Sequence, residues 1–482
     1  MGRLLETREH MLLLLIALPV TLGLACKTPG AAAPGSATEN STAQPETQVA
    51  EPEPEAGQGQ VAADAGACDT RAPYLLGVLP RPTTCLGNDF IARLMWQVFI
   101  ALQWTADTAA GRGVAKDPDN PDALGTGGDT LVWSTWKQDW ELSVGPAGRS
   151  SPWDSYEVSP LPCDFFEEAP RNRVRVTARS WPGIFEANGR TVLDKINLVM
   201  DDHDSQPGHS FVFTGPVITS DRTYVRYETR FNQALYDCAR DGSGAGCVAE
   251  PLSLPAFTGT QDGALAIKAA WRPLSDDGEK SAYYWREVLV PYYEQSPQGK
   301  RVTVCRPEPH VLLGMHVIYK NGFVDTGPNQ WIWATFEHED LAPSCADVQA
   351  GWKTNGYSYI PEELARAPLP PPSQRTPVEL CRLKDVPPVT AAANQDYARF
   401  LPAPWSKYRV AAMQWLMGGS PAPLKGVANV ILEAYAQEDS CMGCHNQQAV
   451  AGDFVWTLVL DQGEDLPLGD GSRIANPAQL WR

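Results

Sequence analysis

The spacing of apolar residues changes along the chain, and each change marks a different element. After Asn88-Asp89, Phe90, Ile91, Leu94, Met95, Val98, Phe99 and Leu102 recur at helical spacing, while Arg93, Gln97 and Gln103 interrupt the run. This predicts a buried helix of a globular domain, not a membrane span. Residues 106–129 are rich in Gly and Asp and predict a long loop. From Thr130 to Phe336 the period shortens to two. Leu131-Val132-Trp133, Val174-Arg175-Val176, Phe211-Val212-Phe213, Tyr224 to Glu228, Ile267 to Trp271 and Tyr283 to Val290 read as short strands broken by turn residues, with a hairpin at Asp221-Arg222. Val311 to Tyr319 and Trp331 to Phe336, separated by Asn321-Gly322, predict another antiparallel pair.

Beyond residue 340 the chain is Pro-rich to about residue 403, which predicts an irregular crossing segment. Val410, Met413 and Met417 then fall at near-helical spacing, so residues 405–417 predict a helix and residues 427–437 a second. A short element from Phe454 to Leu460 precedes an acidic tail. The expected fold class is therefore α+β: a β-rich antiparallel body followed by a helical C-terminal segment, divided near residue 390.

The N-terminal end follows different rules. Arg3, Arg8 and His10, diluted by Glu6 and Glu9, precede an uncharged run from Met11 to Ala25, the length of a signal-peptide core. The run ends Leu22-Gly23-Leu24-Ala25-Cys26, which resembles a bacterial lipoprotein cleavage box in which Cys26 is acylated and anchors the protein to a membrane. Gly23 stands where such boxes usually carry Leu, and ordinary signal cleavage stays open. Residues 26–67 have no aromatic residue and carry six acids against Lys27, and they predict a disordered, self-repelling tether. The division is thus a signal peptide (1–25), a tether (26–67), the body (68–390) and the C-terminal segment (391–482). Export to the periplasm, or anchorage at an outer membrane, follows from this reading.

Charge and cysteine content narrow the picture. The formal charge is −18, which argues against nucleic acid as a partner. The 16 Trp and 15 Tyr exceed what a site needs, so most are expected in the core. Of 11 Cys, setting aside Cys26, Cys441 and Cys444 leaves Cys68, Cys85, Cys163, Cys238, Cys247, Cys305, Cys345 and Cys381, an even number suited to disulfides in an exported protein. Cys238 with Cys247, across a Gly-rich turn, is the first expected pair, and Cys68 with Cys85 the second. The other four have no pairing legible in sequence, although Cys345 and Cys381 flank the Pro-rich crossing.

One stretch specifies chemistry. In Cys441-Met442-Gly443-Cys444-His445 two thiols can each add to a vinyl group of one haem, and the following His lies under the iron as proximal ligand. A zinc site would want a second Cys/His pair at ligand spacing, and a Cys441–Cys444 disulfide leaves His445 unexplained. The expected cofactor is one covalent haem c. No Met or His follows His445, so a sixth ligand must come from upstream. Met95, Met200, His203, His209, His310, Met315, His316, His338, Met413 and Met417 are the pool; His316 and His338, in the paired strand runs, lead it. Either is as easily a hydrogen-bonded structural residue.

Helix Phe90 to Trp104, Val132-Trp133-Ser134-Thr135-Trp136-Lys137, Ile267 to Trp271, Gly314-Met315-His316-Val317, Trp331 to His338, Tyr408-Arg409-Val410, Gln414-Trp415 and Ser440 to His445 together resemble large bacterial cytochrome c family proteins of uncharacterised function. In that family the stretch before the haem motif carries a Met where Leu432 stands here. The resemblance implies one covalent haem on a β-rich body and brings no substrate with it. Two axial protein ligands would make an electron carrier served by a redox partner protein. An open iron would bind peroxide or a small gas as an oxidoreductase or sensor, with Glu337-His338 as an adjacent acid–base pair. A third reading makes the large body a partner-binding module with an accessory haem.

Overall fold

The computed structural model describes residues 75–80, 88–138, 140–143, 152–154, 191–192, 217–219, 225–249, 251–295, 301–323, 330–350, 357–359, 378–417, 420–422, 429–434, 440–445, 452–455, 458, 466–467 and 473–474. The signal run, Cys26, the tether, Cys68, Cys85, Cys163, Met200, His203, His209 and the Asp221-Arg222 turn lie outside these residues.

Helix α1 (Asn88–Leu102) comes first, followed by β1 (Lys137–Gln138), α2 (Trp140–Ser143), β2 (Thr191–Val192), β3 (Val217–Thr219) and β4 (Arg226–Phe231). Then come α3 (Gln233–Asp241), β5 (Leu265–Pro273), β6 (Trp285–Gln295), β7 (Arg301–Lys320), β8 (Trp331–His338), α4 (Cys345–Gln349), β9 (Tyr357–Tyr359) and β10 (Val378–Glu379). Helix α5 (Pro388–Ala398), β11 (Tyr408–Met417), β12 (Ser420–Ala422) and the turn α6 (Cys441–His445) complete the principal elements. Nine strands form one sheet with the path β1-β4-β5-β7-β8-β11-β12; β6 pairs with β7, and β2 with β6. Every pairing in it is antiparallel except β2 with β6. The expected β-rich antiparallel body is what the chain forms, including the β7–β8 pair across Asn321-Gly322.

All eight residues of β8 are buried, so this central strand is covered on both faces. On one face lie α1 and α5. Phe99 stacks on Phe336 at 4.1 Å, and Trp96 stacks on Tyr397 at 5.1 Å and meets Phe336 edge-on. Trp405, Tyr284, Trp271 and Trp133 continue this ring-on-ring layer. Each ring buries 150–250 Å² by general expectation, which makes this layer the main source of hydrophobic stabilisation.

Residues 405–417 correct the expected helix: Trp405–Lys407 is one 3₁₀ turn, and the remainder is strand β11. The reason is a bulge. Val410 opposes Phe336 and Ala412 opposes Thr335, so Ala411 is an extra residue, and Val410 and Met413 fall on the same face three positions apart. An interrupted period of two thereby copies the spacing of a helix. Asn394 of α5 secures the bulge, its amide donating to Val410 O and accepting from Val410 N, both at 2.9 Å.

The predicted helix at 427–437 is also corrected within its described part, since residues 429–434 form turns. The Asn429 carboxamide oxygen accepts from Ile431 N at 2.8 Å and Leu432 N at 3.0 Å, offering those amides a local partner in place of a helix. Cys238 bonds to Cys247 as expected, and Cys345 bonds to Cys381. None of the described helices is long and apolar enough to cross a membrane.

Candidate functional site

The described residues that follow β12, namely 429–434, 441–445 and 452–455, form the C-terminal segment that packs on the sheet face opposite α1 and α5, where β-register puts Lys268, His316, Thr335 and Ala412 in one row and Ile318, Trp333 and Gln414 in the next. Polar side chains of this face hold it by directional bonds. Tyr227 donates its hydroxyl proton to Ile431 O at 2.8 Å, and Lys268 Nζ donates to Leu432 O at 3.3 Å. Glu337, buried at the edge of this layer, pairs with Arg382 and Arg409 and accepts from Asn429 Nδ2 at 3.0 Å. Lys320 Nζ lies 2.6 Å from Asp453 Oδ2, which also accepts from Leu254 N at 2.7 Å.

Within this frame Met442 N donates to Gln414 Oε1 at 2.7 Å, docking the start of the Cys441–His445 turn on β11. A helical turn sets positions 441 and 444 on one side of the turn. Cys441 forms no disulfide, and burial, with the field of Glu433 added, pushes its thiol well above its usual range. His445 Nδ1 meets Phe454 O at 2.7 Å, and its ring lies 4.3 Å from that of Trp333. Burial pushes the imidazole down to about 4 against the opposite pull of the Phe454 carbonyl and Glu433. At neutral pH the ring is therefore neutral. With the proton on Nδ1 toward the carbonyl, the lone pair is on Nε2, which has no hydrogen-bond partner among the described residues.

The carbonyl that orients His445 is held at some cost. Asp453 and Phe454 have φ of 45° and 70°, the left-handed region that a bulky residue rarely adopts. The Asp453 bonds to Lys320 and Leu254 over-determine this conformation. These features fit a c-type haem: a thiol outside any disulfide, and a His whose second nitrogen is secured and whose first is available.

His316 shares the sheet face of Trp333 by strand alternation. Its Nδ1 lies 2.7 Å from Thr335 Oγ1, and its Nε2 lies 3.0 Å from Glu433 Oε1, off the line of a good hydrogen bond. Burial raises the Glu433 carboxyl, but His316, Asn429 N and Lys268 more than offset it and hold it at about 2. His338 is elsewhere. It alternates to the opposite face from Glu337, stacks on Tyr283 at 3.7 Å, and engages both ring nitrogens, with Ala282 O at 3.1 Å and Asp340 N at 3.2 Å. Glu337 and His338, adjacent in sequence, are thus parted by the sheet.

Trp333, Gln414, Glu433 and Phe454 had no role in the sequence reading. The first two lie inside stretches that carry the family resemblance, but contact with the motif comes only from strand register. Phe454 had no signal, because its backbone angle is not written in its side chain. No three His, Cys, Asp or Glu side chains converge as metal ligands among the described residues. No family model, curated protein or solved structure matches this chain.

Proposed function

We propose that the chain is an exported mono-haem c-type cytochrome that exchanges single electrons with redox partner proteins, anchored through a lipid on Cys26. Cys441 and Cys444 hold the haem and His445 is its proximal ligand. The observation that carries the reading is the His445 ring, with Nδ1 secured on Phe454 O and Nε2 without a hydrogen-bond partner among the described residues, directly after two thiols at haem spacing. The haem supplies reversible one-electron chemistry between Fe(III) and Fe(II). The chain contributes the orientation of His445 through Phe454, the docking of the motif through Gln414, and a ring beside the ligand in Trp333.

Optical spectra of the mature protein, oxidised and dithionite-reduced, with and without carbon monoxide, test this directly. Sharp low-spin bands unmoved by carbon monoxide support an electron carrier; absence of any haem spectrum after expression with haem-attachment machinery refutes the reading. A His316→Ala variant with an unchanged Soret band in both redox states removes His316 as distal ligand.

A second reading, an open-iron oxidoreductase or sensor, is favoured by the surroundings of the distal candidates. His338 has both nitrogens engaged on the far face, and His316 faces Thr335 and Glu433. A high-spin spectrum that shifts with carbon monoxide selects this alternative.

A further inference from the structure

The helix-packed face carries a buried positive charge that the described chain does not neutralise. Arg286 on β6 stands in register with His310 on β7, so the two side chains lie side by side. Arg286 is 3 % exposed and His310 is fully buried. Arg286 Nη1 and His310 Nε2 are both sealed from water, and neither has a hydrogen-bond partner among the described residues.

The acid whose charge reaches Arg286 and the acid paired with the neighbouring Arg272 are both committed. Glu228, whose field reaches Arg286, takes Arg230 Nε at 2.7 Å, Trp271 Nε1 at 3.0 Å and Gln138 Nε2 at 3.4 Å. Glu279 takes both terminal nitrogens of Arg272, at 2.5 and 2.8 Å. Arg226 and Arg272 add positive field at His310. A guanidinium stays charged at any ordinary pH, and burying one unpaired costs several kcal/mol. A neutral isostere would cost nothing comparable. An anion would offset that cost.

We propose that Arg286 and His310 form a binding site for a small oxyanion, a carboxylate, phosphate or sulfate group, held by Arg286 Nη1 and a His310 Nε2–H. Among the described residues His310 Nδ1 has only backbone carbonyls near it, Glu308 O at 3.4 Å and that of Pro309, and an anion at Nε2 would draw the imidazole proton to that side. Nη1 and the imidazole nitrogen approach from neighbouring strands, so two oxygens of one group can each take a donor. The site lies across the sheet from Cys441–His445 and does not rest on the haem reading.

The test uses the purified full chain, exchanged into an anion-poor zwitterionic buffer. It is titrated separately with inorganic phosphate, sulfate and acetate at ionic strength held constant with chloride, and followed by calorimetry and thermal melting. The expected result is saturable binding of at least one of the three, with a melting midpoint that climbs with the logarithm of its concentration. The tightest arm distinguishes a tetrahedral anion from a carboxylate. Arg286→Met is expected to melt at or above the parent without anion and to lose the response, and Arg286→Lys to bind at least tenfold more weakly. No binding in any arm by the parent protein overturns the proposal, as does an Arg286→Met variant that responds to the anion as the parent does. Should Arg286→Met fail to fold, the parent's isotherm and Arg286→Lys decide alone.

Discussion

The two faces of the nine-stranded sheet meet the same requirement, covering strands such as β8 from both sides, with different proportions of apolar and polar contact. Against α1 and α5 the contact is ring on ring: Trp96, Phe99, Phe336, Tyr397 and Trp405. Under the C-terminal segment an apolar cluster that takes in Val430, Ile431 and Leu432 is joined by hydrogen bonds and ion pairs: Tyr227, Lys268, Glu337, Gln414 and Lys320 each reach a named atom of that segment. Apolar burial is non-directional and scales with area, so it can fix a helix that already has a regular face. A segment built of turns buries apolar side chains, here Val430, Ile431 and Leu432, without a regular face to align them. Its position must be specified atom by atom, and polar bonds do that because they are directional.

The comparison can be broken most sharply at the motif itself. Cys441→Ala is expected to abolish two-bond covalent haem attachment while leaving the helix-packed face intact, read as loss of the normal c-type haem signal on a denaturing gel alongside unchanged near-ultraviolet circular dichroism from the buried Trp. A variant that also lost the tertiary spectrum would show the two faces to be one cooperative unit. Next in size is Phe99→Ala, which removes the ring stacked on Phe336 and is expected to cost about 3–5 kcal/mol in denaturant unfolding without moving the haem spectrum.

Glu337→Gln acts on the other face. It takes the charged partner from Arg382 and Arg409, and its expected cost is roughly 1.5–3 kcal/mol, concentrated in the C-terminal segment. Limited proteolysis should then cut near residues 429–434 first; uniform destabilisation would contradict a separately held segment.

The smallest effect is a pH slope. Burial lowers the His310 imidazole from its ordinary value near 6.5 to about 3. Because the unfolded chain binds this proton first, stability from this group is full above about pH 6.5 and is lost as pH falls toward 3. At pH 5 in anion-free buffer the loss is about 2 kcal/mol, from 1.36 kcal/mol per pH unit, and His310→Gln should flatten the slope by that much. An equal slope in both proteins would mean that His310 titrates normally.

Parts of this were legible in the amino-acid order. The strand pair across Asn321-Gly322 was visible because alternation is local and its turn residues lie between the runs. Strand β11 was not, because a single extra residue, Ala411, shifted the alternation into a helical spacing that only its pairing with β8 reveals. The turn at 429–434 was hidden because Asn429 competes for amides that a periodic pattern assigns to a helix. Met413 and His338 looked like ligand candidates in one dimension. Register puts Met413 on the helix-packed face beside Val410, and surrounds His338 with Tyr283, Ala282 and Asp340.

By itself the sequence determined what depends on covalent neighbourhood: two thiols and an imidazole at haem spacing, the Gly-rich turn that lets Cys238 reach Cys247, and a period-two pattern that commits the middle of the chain to strands. Tertiary structure alone decided what depends on residues far apart in the chain. It brought Trp333 and Phe454 to His445, separated Glu337 from His338, and set Arg286 beside His310. The reason is that strand register converts one-dimensional spacing into side-by-side contact, and a shift of one residue moves a side chain from one face of the sheet to the other.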